Sequence, residues 1–309
     1  MTPRKVLVVH YASPSGQLRE VIRKLSAPLA EAGHIEVREL ILRPKAAYPF
    51  PWPVLQFFDT FPECIYLDPP ELEPLGLDGG ERFDLVILGY QVWFLSPSLP
   101  TTAFLKNPLA QSVLKDTPVV TVIACRDMWL MAQERVKELL AKAGARLVGN
   151  VVLVDEAGSL GSFLATPLWM LTGKRGPRLG GLIPRAGVKP EQIDASRRFG
   201  ERIAQVLSRE QPLDAGLLRD LGAVRVNTQL IATERAARRS FLAWGALLRK
   251  LGKQGSRARQ PVVMIYIVFL VLLLITVLPA SALLKTLTAP LLRARIAAQR
   301  AYFSEPSGS

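Results

Sequence analysis

Through the first two-thirds of the chain, short and nearly unbroken apolar runs alternate with stretches whose apolar residues recur every three or four positions. The runs read as strands buried on both faces, the periodic stretches as amphipathic helices, and their alternation as a parallel sheet. Strand one is Lys5–Tyr11, followed by a helix over about Ser15–Ala32 that ends at Gly33. Strands two to five fall at about Ile35–Leu42, Phe83–Gly89, Pro118–Cys125 and Arg146–Val154. A helix at Trp129–Ala143, closed by Gly144, and another at about Pro190–Leu207 complete the alternation. The expected architecture is α/β: a doubly wound five-stranded parallel sheet of order 2-1-3-4-5 over residues 1–208.

Two insertions, 43–80 and 156–189, interrupt this pattern. Within the first, Tyr48–Pro62 holds six aromatic residues and four prolines in fifteen positions. Prolines oppose a regular helix or a central strand, and aromatic density opposes disorder. The segment reads either as an ordered loop over a pocket or as a hydrophobic lid completing the core. The second insertion carries Trp169 in an apolar stretch beside Lys174, Arg175, Arg178 and Arg185. It suits contact with a bilayer interface or a buried connector.

Beyond residue 208 the pattern changes. Residues 209–260 form a basic segment, with Phe241, Trp244, Leu248 and Leu251 on one face of a helix and Arg238, Arg239, Arg249 and Lys250 as polar neighbours. It reads as a surface helix on anionic lipid or as a solvated linker. Residues 261–284 contain no charged side chain, long enough to cross a hydrocarbon core of about 30 Å. A basic tail, 285–309, follows. Cations on both flanks also allow a shallow or re-entrant helix with both ends on one side.

Charge acquires meaning once it is placed. The net charge is +13, of which +7 falls in 209–259, +3 after Leu284 and about +3 in 1–208. It flanks the apolar segment instead of covering the globular part, so membrane lipid is the expected partner and nucleic acid is not. Lys5 leads directly into a strand without a cleavage-site pattern, giving an expected location at the inner membrane with the globular part facing the cytoplasm. Cys64 and Cys125 are too few for a disulfide framework, and with only His10 and His34 no metal site is expected.

Candidate chemistry gathers in three turns after strands one, three and four. Ala12-Ser-Pro-Ser-Gly16 leads straight into a helix, aiming hydroxyls and backbone N–H groups at the positive end of a helix dipole. Neither a dinucleotide fingerprint nor a Walker loop is present. The turn resembles the phosphate loop of flavodoxin-like proteins, Ser/Thr-x-Ser/Thr-Gly-x-Thr, through Ser13, Ser15 and Gly16. Leu18 replaces the last hydroxyl and Pro14 removes a backbone donor. The turn Gly89–Pro100, with Gly89, Trp93, Phe94 and Pro97, resembles the isoalloxazine-framing loop of flavodoxin-like quinone and FMN reductases, with Gln91 where proline is common.

The resemblance implies FMN as cofactor and NAD(P)H as a candidate electron donor. Expected flavin contacts are Ser13, Ser15, Gly16, Gln17 and Leu18, then Gln91, Val92, Trp93 and Phe94, then Cys125, Arg126, Asp127 and Trp129. Arg126 is read as stabilising reduced flavin or gripping an acidic substrate, or else as a partner of Asp127. Trp129 is read as stacking on flavin or packing its helix. Tyr11 and Tyr90 are candidate proton relays beside Arg126. Tyr48, Phe50, Trp52, Phe57 and Phe58 are candidate substrate contacts.

Tyr48-Pro-Phe-Pro-Trp-Pro, Phe57-Phe-Asp-Thr-Phe-Pro-Glu63 and Ala124-Cys-Arg-Asp-Met-Trp-Leu-Met-Ala-Gln-Glu134 also resemble bacterial dialkylresorcinol condensing enzymes, over about residues 4–207. That resemblance implies flavin-dependent oxidation of a cyclohexanedione made by a partner ketosynthase. The expected function is a membrane-attached FMN oxidoreductase on a hydrophobic, ring-containing or lipid-like substrate, with a homodimer as a candidate state. A NAD(P)H-dependent membrane quinone reductase and a non-catalytic tethering protein on the same fold stand as alternatives.

Overall fold

The computed structural model describes residues 3–155, 159–288 and 292–308, with the side chains of 156–163, 274 and 277–291 outside the description. The first half runs β1 (Arg4–Tyr11), α1 (Gln17–Glu31), β2 (Ile35–Leu42), α2 (Val54–Asp59), α3 (Phe61–Ile65), β3 (Leu85–Tyr90), β4 (Val92–Trp93), β5 (Ser96–Pro97), α4 (Leu99–Lys106), α5 (Pro108–Leu114), β6 (Pro118–Cys125), α6 (Leu130–Lys142) and β7 (Arg146–Val154). After these come α7 (Ser159–Thr172), α8 (Pro190–Ala195), α9 (Arg197–Ser208), α10 (Thr228–Lys250), α11 (Gln260–Thr288) and α12 (Arg293–Ser304).

Five parallel strands form one sheet of order β2-β1-β3-β6-β7. With the two-residue antiparallel ribbon β4–β5 set aside, this is the expected 2-1-3-4-5 arrangement. Alternate residues of each strand enter different cores. Leu7, Val9 and Tyr11 face α4, α5, α6 and α10, while Val6 and Val8 face α1, α8 and α9. Burial on both faces is why the strands read as continuous apolar runs.

Helix α1 is held from two sides by glycines. A Cβ on Gly89 of β3 would lie 2.7 Å from Ile22 Cδ1, and one on Gly200 of α9 would lie 1.8 Å from the Leu25 carbonyl oxygen. Both positions therefore admit α1 only because they carry no side chain. Gly89, expected to frame a flavin, is a packing glycine.

Two expectations need correction. The proline-rich insertion does contain helices, α2 and α3, because Pro53 precedes the first and Pro62 stands in the opening turn of the second, where no N–H is needed. The basic segment is neither a solvated linker nor a helix lying free on lipid. Leu213, Leu217 and Leu218 enter the core under the sheet, the Val152 N–H donates to the Ala223 carbonyl at 2.8 Å, and α10 buries Ile231, Glu234, Gly245 and Leu248.

The expected membrane span lies in part outside the described residues. Among the described residues no helix is long and apolar enough to cross a membrane. The expected span does form α11, although its residues 274 and 277–284 fall on side chains outside the description. Both flanks of α11 rejoin the same globular body. At its start Val263 and Tyr266 are buried against Phe61 and Leu248. Beyond it Phe303 is buried, Tyr302 donates to Glu134 at 2.6 Å and Ser307 donates to the Asn150 carbonyl at 2.8 Å. What α11 presents outward is a stripe of Met264, Ile265, Val268, Val271, Leu272 and Ile275, all exposed.

Arg259 fixes the start of α11. It is fully buried, with Nε 2.9 Å from Asp59 Oδ1 and Nη1 2.8 Å from Glu63 Oε1, and it donates to the Asp59 carbonyl at 3.1 Å. Burial raises the Asp59 pKa, while the Gly255 N–H and the Arg259 charge pull it down. Removing the guanidinium strands two carboxylates in a dry site. Arg259→Ala should cost about 3–5 kcal/mol, read from the urea midpoint, and adding Asp59→Asn and Glu63→Gln should restore part of that loss.

Candidate functional site

Parallel strands send all their strand-to-helix turns off one edge of the sheet, and the turns after β1, β3 and β6 meet there. The first turn forms around Gly16, whose φ of 75° is a left-handed conformation suited to glycine. The Gly16 N–H donates to the Ser13 carbonyl at 3.0 Å, and the hydroxyls of Ser13 and Ser15 lie 2.8 Å apart. A Cβ on Gly16 would meet no heavy atom within 4 Å. Two paired hydroxyls, an exposed glycine and the N-terminus of a fifteen-residue helix thus face open space, a setting that suits an anionic phosphate.

Gln91 joins the second turn to the first. Its side-chain amide donates to the Tyr11 carbonyl at 3.1 Å, leaving its own Oε1 buried without a hydrogen-bond partner. An orphaned acceptor at this edge fits a ligand bearing an N–H, as the isoalloxazine ring does. The β4–β5 ribbon then turns tightly through Phe94 and Leu95, at φ 49° and 59°. Two non-glycine residues in this region mark strained backbone. The ribbon aims Trp93 back over the crevice, where Tyr11, Tyr48 and Trp52 meet its ring edge to face at 6.1, 4.9 and 5.7 Å. Burial pushes the Tyr11 phenol up to about 12, so it keeps its proton at neutral pH.

The expected aromatic contacts divide between places. Tyr48 and Trp52 join Tyr11 and Trp93 at the crevice. Phe57 links Trp52 to a neighbouring cluster of Phe58, Phe61, Phe94, Phe241 and Tyr266. Phe94 therefore points to that cluster, away from the expected flavin contacts. Phe50 leaves for the second insertion, against Trp169 at 6.4 Å.

Other expected residues are held in the interior. Tyr90 is fully buried and donates to Gln133 Oε1 at 2.6 Å, so it offers no proton relay at the open edge. Trp129 belongs to the core beneath α6, which selects helix packing over flavin stacking. Leu18 lies in the core on the opposite face of the sheet, and Val92 packs partly buried against the core that holds Trp129. Gln17 turns away from the turn and accepts from the Val188 N–H at 2.9 Å. Burial pushes the Cys125 thiol up, leaving it protonated.

The third turn is a compensated charge cluster. Desolvation pulls the Arg126 guanidinium below its ordinary range, against the opposing pull of Asp127, Cys125, Asp155 and Glu234. Asp127 accepts from the Asn227 amide at 3.0 Å. The Arg126 Nη2 lies 3.4 Å from the Met128 sulfur. Glu234 was not legible as part of this cluster. It arrives from α10, fully buried, and accepts from the N–H groups of Leu130 and Met131 at 3.3 and 2.8 Å, closing the N-terminus of α6. Only its 3.6-residue spacing with Ile231 and Leu248 hinted that this face was internal.

Comparisons with known proteins add similarity of arrangement. No family model and no curated protein matches the chain. A flavoprotein from Lactobacillus acidophilus solved in complex with FMN is 16% identical, covering 49% of this chain and 93% of its own, with a TM-score of 0.37. A flavodoxin from the domain Archaea is 12% identical over 66% of this chain and 99% of its own, with a TM-score of 0.36. A flavone reductase is 13% identical over 68% of this chain and 65% of its own, also at 0.36. The strand order β2-β1-β3-β6-β7, not these values, speaks for the fold, and it fits a flavodoxin-like arrangement. Among the described residues no cluster of His, Cys, Asp and Glu could hold a metal ion.

Glu234 provides a pH test of the third turn. Burial pushes its carboxyl up to about 7 from 4.5, although the two N–H donors oppose the shift. The folded state then holds the proton more tightly than the unfolded chain. Its stabilisation is complete below about pH 4.5 and is lost as the pH rises through about 7, in total about 3 kcal/mol. Urea midpoints measured across that window should fall with pH in the native chain and fall distinctly less in Glu234→Gln.

Proposed function

We propose that this chain is an FMN-dependent oxidoreductase that acts on a hydrophobic, ring-containing or lipid-like substrate at a membrane surface. The observation that carries the reading is the open hydroxyl turn at the α1 N-terminus, tied through the Gln91 side chain to an aromatic cluster of Tyr11, Tyr48, Trp52 and Trp93. Ser13 and Ser15 would hold the phosphate, and the Gln91 carbonyl would accept from the ring edge. Bound flavin supplies two-electron redox chemistry. The surrounding rings exclude water and orient an apolar substrate, and the protonated Tyr11 hydroxyl can donate toward charge developing in the crevice.

Attachment to the membrane is argued from α11. Its exposed stripe runs along one helical face, flanked by the exposed cations Lys250, Lys253 and Arg257 before it and Arg293, Arg295 and Arg300 after it. That combination fits a helix lying in the plane of an anionic leaflet. The globular part would then face the cytoplasm, close to substrates that partition into lipid. A dione ring carrying alkyl chains, as the resemblance to dialkylresorcinol condensing enzymes implies, is such a substrate.

Protein purified in detergent should show a flavin spectrum and release FMN on denaturation. Ser13→Ala and Ser15→Ala should each weaken FMN binding about tenfold, measured by fluorescence quenching. Protein without bound flavin that takes up none when FMN is added would overturn the reading.

A further inference from the structure

Arg175, in the segment after α7, reaches the phosphate turn from 160 residues away in sequence. Its Nη2 donates to the Ser15 carbonyl at 3.1 Å, and its guanidinium lies over the Trp169 ring at 4.7 Å. Trp169 is itself buried with Ala165 and Ala186. The backbone around Arg175 is fastened to the site at several points. Its carbonyl accepts from the Ala186 N–H at 2.8 Å, the Gly187 N–H donates to Asp155 at 2.8 Å, and the Val188 N–H donates to Gln17 at 2.9 Å. Gly187 has a φ of 100°, a backbone conformation that favours glycine. The second insertion is a wall of the phosphate turn.

The electrostatics of this wall are unbalanced. Desolvation and the charge of Arg185 pull the Arg175 guanidinium below its ordinary range, and Glu20 only partly opposes them. Among the described residues no carboxylate forms an ion pair with Arg175, and Ser15 is its one hydrogen-bond acceptor. A half-buried cation beside a second arginine, at the positive end of a helix dipole, is unfavourable until an anion joins them. A guanidinium has five donors, and stacking on Trp169 fixes the direction of those that remain.

We infer that Arg175 is a phosphate-binding residue which replaces the donors missing at Pro14 and Leu18 and makes the site select a phosphorylated flavin over its unphosphorylated counterpart. This rests on the flavin reading and goes beyond it. The pair Arg175 and Arg185 then acts as a charged clamp on a phosphate monoester, whereas the hydroxyl turn alone would discriminate weakly.

The test compares FMN and riboflavin binding to the full chain, freed of flavin, for the native protein, Arg175→Gln and Arg175→Lys. The native protein should prefer FMN, and Arg175→Gln should lose at least about tenfold of that preference through weaker FMN binding, with riboflavin affinity unchanged. Arg175→Lys, keeping charge but not the planar fork, should fall between. An unchanged FMN-to-riboflavin ratio in Arg175→Gln overturns the inference and leaves the flavin reading standing. If the native chain binds neither flavin, that reading fails alone, and inorganic phosphate decides the role of Arg175. A phosphate-dependent rise in Tm that Arg175→Gln abolishes supports it, and no rise in the native protein overturns it.

Discussion

The close approach of α1 to the middle of the sheet is the constraint on which the site depends. Gly89 lets Ile22 descend onto β3, and Gly200 lets α9 press on the Leu25 turn from outside. Held between them, α1 has one position along β1 and β3, and its first residues must leave the sheet edge where His10 pairs with Gly89. The phosphate turn is therefore delivered by packing, before any ligand contributes. Gln91, two residues past Gly89, then ties the neighbouring turn to the same place through the Tyr11 carbonyl.

What could be read from the sequence follows from this dependence. Strands buried on both faces announce themselves as apolar runs, and their order follows once each crossover is helical and right-handed. The Ser13–Gly16 turn was legible because its residue types are tied to local backbone geometry: Gly16 needs its left-handed φ, and Ser13 and Ser15 need only each other. Side-chain direction was not legible. Tyr90 and Trp129 border the turns in sequence, yet strand alternation and helix register point them into the core, a one-residue distinction invisible in a motif. Phe94 was displaced by a tight turn that no Asn or Gly foretold.

Long-range partners account for the rest. Amphipathicity in α10 declared that one face is buried but not what buries it, and the basic residues around that face drew attention toward lipid. The face contacts Phe61, Phe94 and the N-terminus of α6 instead, carrying Glu234 to the third turn. Arg175 was hidden in the same way, as one of several cations beside an apolar stretch. The attachments of the apolar segment were hidden for a related reason. Composition reported its hydrophobicity correctly, but not that Arg259 fastens its first turn to Asp59 and Glu63 while the chain end returns to Asn150.

These attachments make α11 part of the wall that surrounds the crevice. Tyr266 lies 4.4 Å from Phe61 and 6.4 Å from Phe58, Phe58 lies 5.2 Å from Phe57, and Phe57 lies 5.7 Å from Trp52, whose ring meets Trp93. Close-packed rings cannot yield individually without opening voids. A movement of α11 against Phe58 and Phe61 must be taken up by α2 and α3, and through them by Trp52 at the crevice. A cavity of about 510 Å³ between Tyr48, Leu55, Gln254 and Val263 lies along the same boundary, next to the first turn of α11. The apolar helix and the aromatic insertion are thus one packed unit, with an exposed apolar face outward and Phe58 and Phe61 on its inward side.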